Sequence, residues 1–199
     1  MDKNLQDIYR NRRSFYELGK DSVLPDGEIA DLIRHAVKYA PTAFNSQSGR
    51  VLLLLGKEHE RLWDLTTDIL RGIVPPDKFQ TTEEKLGSFK AGYGTVLFFE
   101  EQDTVAGLQK DFPLYRDNFP VWSLESSGML QYMVWTLLEE AGFGASLQHY
   151  NPLIDEKVQS TWGIPGSWKL LAQMPFGKPT GEPDEKDFLP LEERVRVSH

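Results

Sequence analysis

Three short stretches of this 199-residue chain combine residue types able to hold a charged or heteroaromatic ligand. Arg12-Arg13-Ser14 puts two guanidinium groups and a hydroxyl in consecutive positions, enough to surround a phosphate with charge-assisted, partly bidentate hydrogen bonds. The same residues also fit a plainer purpose, two arginines complementing a helix C-terminus with Ser14 forming the turn. Asn45 and Gln47 flank Ser46 ahead of an apolar run. A carboxamide offers donor and acceptor together, which matches the imide edge of a heterocycle and equally suits an ordinary polar loop. The third stretch is Gly142-Phe143-Gly144-Ala145-Ser146-Leu147-Gln148-His149. Its small residues let a flat ligand approach the backbone, or simply close the preceding helix with glycine.

Other chemistries are excluded or unsupported. The chain has no cysteine, which removes disulfides, thiolate metal sites, cysteine nucleophiles and cysteine-ligated clusters. His35, His59, His149 and His199 have no partner at helical spacing, so no metal site is expected. Neither a phosphate-binding GxxxxGK[ST] loop nor a GxSxG nucleophile elbow is present, and Gly142-Phe143-Gly144 closes a helix where a dinucleotide fingerprint would open one. Thirty acidic against twenty-two basic residues give a net charge of −8, the wrong balance for a nucleic-acid binder. The longest apolar run, Val51 to Leu55, is too short for a bilayer, and the first residues lack the apolar centre of a secretion signal. A soluble cytoplasmic protein is the expectation. No acid–base side chain stands out, so no catalytic residue is assigned.

The elements that must position these stretches follow from periodicity. One domain is expected at this length. Leu5, Ile8 and Tyr9 share a helical face over residues 3–12, and Asp26 is placed to cap a helix carrying Ile29, Leu32, Ile33, Ala36 and Val37 inward. Arg50 to Leu55 predicts a strand buried on both faces. A helix through Leu62 and Leu70, a short one over residues 83–91 and a strand over 95–99 come next. The longest helix spans residues 124–141, followed by strands over 145–149 and 168–174. This order predicts an α+β three-layer αβα sandwich with a mixed, mostly antiparallel sheet. Residues 1–177 form that domain. From residue 178, Pro179, Pro183 and Pro190 impose an extended path. Such a tail is either disordered or laid across another surface, such as a second subunit, and Leu189, Leu191, Val195 and Val197 argue for docking.

Phe112, Tyr115, Phe119 and Trp122 recur at helical spacing, either as a core stripe or as the wall of a pocket. Phe119 and Trp122 are the candidates for contact with a substrate. Pro120 is expected to interrupt a continuous helix there.

Four motifs in order resemble the nitroreductase family of FMN-dependent oxidoreductases: Arg12-Arg13-Ser14, Ala40-Pro41-Thr42-Ala43-Phe44-Asn45-Ser46-Gln47, Gly142-Phe143-Gly144 and Leu189-Pro190-Leu191-Glu192-Glu193. Residues 88–100 and 147–152 resemble, more narrowly, the short branch named for a yeast fatty-acid-repression mutant protein. Two departures stand out: Tyr16 replaces a further basic residue, and Ser48-Gly49 replaces Pro-Trp. The resemblance implies a nitroreductase-like homodimer with the C-terminal segment exchanged, binding FMN. Arg12, Arg13 and Ser14 would hold the phosphate, with Lys186 adding a cation. Asn45 and Gln47 would contact the ring or ribityl chain, Gln47 reaching the partner's flavin. Ala145, Ser146, Leu147 and Gln148 would line the ring near N5, and Lys90 would serve its N1/O2 edge. The implied activity is ping-pong reduction of a small electron-poor acceptor, a nitroaromatic or quinone, by NADH or NADPH. A non-catalytic FMN-binding protein that senses redox state or lipid is the alternative.

Overall fold

The computed structural model describes residues 4–198. Helix α1 (Leu5–Asn11) is capped by Asn4, whose side chain accepts from the Asp7 N–H at 3.0 Å, as a helix N-terminus with orphan donors requires. The chain then forms β1 (Leu18–Gly19), α2 (Asp26–Tyr39), β2 (Gly49–Leu55), α3 (Gly56–Arg71), α4 (Phe79–Lys90) and β3 (Gly94–Glu101). After these come α5 (Gln102–Asp111), α6 (Phe119–Glu140), β4 (Gly144–Ala145), α7 (Asp155–Trp162) and β5 (Trp168–Pro179).

The strands run in the order β1-β5-β3-β2, with β4 also pairing β5, and every strand pair is antiparallel. The parallel element is a single bridge between Ser14 and Ala145. Alternation along β3 creates the layers, because successive side chains point to opposite faces. Val96 and Phe98 pack with Ile29, Ile33, Leu130 and Val134 of α2 and α6. Leu97 and Phe99 pack on the other face with Leu62, Trp63, Leu86 and Val158 of α3, α4 and α7. The architecture is the expected α+β sandwich, three layers deep.

Several local expectations change. β2 lies at the sheet edge and only Leu54 is fully buried along it. An unbroken apolar run does not distinguish a central strand from an edge strand whose outer neighbour is missing. Asp26 does not cap α2. It is the first helical residue, and its carboxylate accepts from the Tyr93 hydroxyl. Val37 is exposed rather than inward. Pro120 sits in the first turn of α6 and starts the helix instead of breaking it, since the first turn has no N–H bond for proline to lose. α5 and α7 were not foreseen; both are short, and each buries one side chain, Val105 or Val158. The strand expected over 145–149 reduces to β4 and a bridge between Gln148 and Gln173. β5 continues to Pro179 opposite Leu18, so the extended segment leaves the sheet at residue 180.

Candidate functional site

The two ends of the chain meet at one place. α1 ends at Asn11, and Arg12 leaves it with extended dihedrals while its N–H still donates to Ile8. The next residues lie against β4: Ser14 bridges Ala145, and the Phe15 N–H donates to the Ala145 carbonyl at 3.0 Å. Glycine is required beside them, because a Cβ on Gly144 would stand 2.9 Å from Phe15 Cβ and 3.0 Å from Pro179 Cγ. The C-terminal segment returns to the same corner, tied by the Thr180 N–H donating to the Glu17 carbonyl at 3.0 Å. Arg13 Nη2 donates to the Asp184 carbonyl.

The result is a cavity of about 230 Å³ lined by Arg12, Arg13 and Ser14 on one side and Asp184, Glu185 and Lys186 on the other, with Tyr16 at its wall. The Arg12 guanidinium lies over Trp135 at 4.4 Å and Tyr132 at 5.8 Å from the ring centres. Its Nε is buried and meets no hydrogen-bond acceptor among the described residues. A buried N–H without a partner costs about 1–3 kcal/mol, so the corner is built to receive an acceptor. Three cations and a hydroxyl suit an anion of phosphate size, and the donor set fits the phosphate of a mononucleotide.

Ala145, Ser146 and Gln148 are buried beside this corner. The N–H groups of Ser146 and Gln148 donate to Pro175 and Gln173 of β5, at 3.2 and 2.7 Å. The Gln148 amide donates to the Ser146 hydroxyl at 3.1 Å. These residues and half-buried Leu147 form a rigid ledge continuous with Ser14. The Lys90 ammonium pairs with Asp64 of α3 at 2.5 Å, and its neighbour Phe89 packs on Tyr16 of the corner at 6.4 Å between ring centres. The Lys90 carbonyl faces His59 Nε2 at 3.2 Å, and Thr95 faces Nδ1 at 2.8 Å. Burial there lowers the His59 pKa to about 4.

Asn45 and Gln47 belong to a second cluster. Phe44, Asn45 and Gln47 have φ of 54°, 51° and 48°, a left-handed conformation that non-glycine residues adopt at a cost and that concentrates at functional sites. The Gln47 N–H donates to Thr42 Oγ1 at 3.1 Å, and Arg50 donates to the Gln47 and Gly49 carbonyls at 2.6 and 3.0 Å. Phe44 thereby enters an aromatic group, 4.9 Å from Phe112, 5.8 Å from Tyr115, 5.2 Å from Phe119 and 6.0 Å from Trp122. Phe119 is buried at its base, while Trp122 is half-buried and Phe44, Phe112 and Tyr115 are exposed.

The structure therefore unites Arg12, Arg13, Ser14 and Lys186, with Ala145–Gln148 adjoining. It groups Asn45 and Gln47 with Phe119 and Trp122. The cavity beside Gln47 and the corner at Arg12 share no lining residue within one protomer. Phe44, Trp135 and Tyr132 were missed. Phe44 carried a signal, an aromatic residue inside a polar loop, whereas nothing links Trp135 to Arg12 across more than a hundred residues.

A sequence model of the nitroreductase family matches residues 9–178. The chain belongs to the nitroreductase family. It is 33% identical over 190 residues to the nitroreductase FRM2 of Saccharomyces cerevisiae, covering 94% of this chain and 93% of that protein. The nitroreductase CinD of Lactococcus lactis in complex with chloramphenicol superposes with a TM-score of 0.91 at 43% identity, over 98% of this chain and 100% of that one. CinD in complex with 4-nitrophenol gives a TM-score of 0.90 at 43% identity, with the same coverage. Family membership makes this nitroreductase an oxidoreductase, and the expected fold and branch both stand.

Proposed function

We propose that this nitroreductase binds FMN and transfers reducing equivalents from NADH or NADPH to electron-poor acceptors, nitroaromatics and quinones, as a cytoplasmic homodimer. The observation that carries the reading is the convergence of Arg12, Arg13, Ser14 and Lys186 on one cavity, with the Arg12 Nε lacking a protein acceptor. CinD, related at 43% identity, was solved with the nitroaromatics chloramphenicol and 4-nitrophenol, which supports the acceptor class. FMN held by these residues would supply the hydride chemistry between nicotinamide and acceptor.

The protein's part is binding, orientation and electrostatics. Arg12, Arg13, Ser14 and Lys186 hold the phosphate by charge-assisted hydrogen bonds. The ledge Ala145–Gln148, its backbone tied to β5 by the Ser146 and Gln148 N–H groups, would give the ring a stiff backing. Asn45 and Gln47 present carboxamides on a strained loop, set to pair with ring or ribityl groups. Trp122 and Phe44 form an apolar wall for a flat acceptor, with buried Phe119 supporting both rings from beneath, and exclude water from it. Lys90 serves the N1/O2 edge once released from Asp64. Donor and acceptor use one site in turn, and solvent supplies the protons.

The homodimer reading is supported by the separation of the two clusters within one protomer, which a second copy can bring together. It is supported also by the free edge of β2 and the exposed apolar residues of the tail. The test is the visible spectrum of the FMN-loaded protein under anaerobic conditions. NADH or NADPH should bleach the flavin bands, and chloramphenicol should restore them with ping-pong kinetics. Bound flavin that neither nicotinamide reduces would favour the non-catalytic sensor, and failure to bind FMN would overturn the proposal.

A further inference from the structure

His59 is a buried titratable group that the proposed activity leaves unused. It sits on α3 and is 1% exposed, and both of its ring nitrogens are engaged. Nε2 lies 3.2 Å from the carbonyl of Lys90, the last residue of α4. A carbonyl only accepts, so Nε2 carries the proton. Burial keeps the ring neutral at pH 7, which leaves Nδ1 bare to accept from the Thr95 hydroxyl at 2.8 Å. The Trp63 indole N–H, which only donates, supplies Thr95 Oγ1 at 3.0 Å. Trp63, Thr95, His59 and the Lys90 carbonyl form one directed chain in which every proton has a single consistent place.

This chain ends on a carbonyl that needs a donor. The last carbonyls of a helix have no partner within it. Beyond Lys90 the backbone turns at once toward β3, with the Tyr93 N–H donating to the Phe176 carbonyl at 2.8 Å. His59 therefore fixes where α4 stops and where the Lys90 backbone stands. The ammonium end is held differently. It pairs with Asp64 at 2.5 Å, with the Lys90 side chain 38% and that of Asp64 59% exposed, and an exposed pair of this kind is weakly held. Lys90 thus combines a locked backbone with a releasable cation. The lock backs on the anion corner through Phe89, whose ring lies 4.9 Å from Trp63 and 6.4 Å from Tyr16 of the corner. The same ring lies 6.5 Å from Tyr150, just beyond the ledge.

We propose that His59 is a positioning residue for flavin reduction: by holding the Lys90 carbonyl it sets the point from which the Lys90 ammonium, on leaving Asp64, reaches the N1/O2 edge of FMN. The proposal rests on the FMN reading with Lys90 at that edge, and deepens it by naming what aims the cation. A cation there favours the anionic reduced ring, and the benefit falls with distance. A loosened end of α4 therefore lowers the reduction potential of bound FMN.

The test is the midpoint potential of FMN bound to the full-length protein, titrated anaerobically against reference dyes. Lys90→Gln should shift the preference between reduced and oxidised FMN at least tenfold toward the oxidised form, about 30 mV for a two-electron couple. His59→Leu should shift it at least threefold the same way, about 14 mV. His59→Gln, which keeps an N–H for the Lys90 carbonyl, should recover most of that loss. His59→Leu combined with Lys90→Gln should lie no lower than Lys90→Gln alone. Thr95→Val, which leaves Nδ1 without its donor, should also lower the potential, and it decides the matter if His59→Leu does not fold. An unshifted potential in His59→Leu or Thr95→Val beside a shifted one in Lys90→Gln, or additive shifts in the double variant, would overturn the proposal. A potential indifferent to Lys90→Gln would remove the Lys90 reading beneath it as well.

Discussion

Replacing Arg12 with methionine should separate ligand binding from folding, because the two effects carry opposite signs. In the protein without ligand, Arg12→Met removes a buried Nε that has no hydrogen-bond partner among the described residues, relieving about 1–3 kcal/mol. It also removes the cation over Trp135 at 4.4 Å, worth about 0.5–2 kcal/mol. Methionine retains most of the aliphatic packing against the same ring. The net change in stability should fall within about 1 kcal/mol of zero, or roughly 2–4 °C in melting temperature for a chain of this length. FMN binding should behave otherwise. Losing one charge-assisted bond to a phosphate costs about 1.5–3 kcal/mol, a weakening of about 10- to 150-fold. Differential scanning fluorimetry of the apoprotein and quenching of FMN fluorescence measure the two quantities on one sample. A variant that melts ten degrees lower yet binds FMN with unchanged affinity would show Arg12 to be a structural clamp and would sink the phosphate assignment.

Burial holds His59 neutral, with its pKa lowered to about 4 from 6.5. Unfolding therefore takes up a proton between those values, and the stability from this residue is whole above pH 6.5 and declines as pH falls toward 4. The loss approaches about 3 kcal/mol, and urea titrations at pH 7 and 4.5 should show it diminished in His59→Gln. Phe119→Ala should cost about 3–5 kcal/mol in urea unfolding because the ring is buried against three aromatic neighbours, Phe44, Phe112 and Trp122. Half-buried Trp122→Ala should instead alter the ratio of kcat/KM between nitroaromatic acceptors, and unchanged ratios would remove it from the pocket wall. Gly144→Ala forces a Cβ to 2.9 Å from Phe15 and should lower stability by about 1–3 kcal/mol while weakening FMN binding, both read in one thermal shift series with and without FMN.

The sandwich was legible because its evidence is local and repeated. Apolar runs at 51–55 and 95–99 and the 3.6-residue stripe of α6 survive any context. Contacts distant in sequence were not legible. Arg12 rests on Trp135, and Arg13 holds the Asp184 carbonyl, pairings that no periodicity encodes. Of the candidate residues, Lys186 was placed by motif resemblance, and the structure brings it to Arg12, Arg13 and Ser14. Lys90, also placed by resemblance, is paired with Asp64 in the protein without ligand. Phe119 and Trp122 read alike at helical spacing and part company only in burial, which depends on Phe44 arriving from another loop. Helices α5 and α7 escaped notice because a short helix with one buried residue has hardly any pattern to detect.

The strained loop and the anion corner have a common logic. Left-handed backbone at Phe44, Asn45 and Gln47 costs roughly 1–3 kcal/mol at each residue, offset locally by the Thr42 and Arg50 hydrogen bonds and by packing of the Phe44 ring. Such expense would be pointless for a polar connection between α2 and β2. It makes sense if the carboxamides must be fixed before a ligand arrives, because a floppy loop would surrender that free energy on binding. Yet the anion corner that a ligand needs is built elsewhere on the protomer. In the proposed dimer the loop of one copy meets the corner of the other, and the tail that supplies Lys186 to its own corner continues past it with exposed apolar residues that suit the second copy. Binding of the phosphate and closure of the dimer would then share one segment, residues 184–197. Flavin affinity should accordingly rise with protein concentration through the monomer–dimer range, and an affinity independent of concentration across that range would break the link.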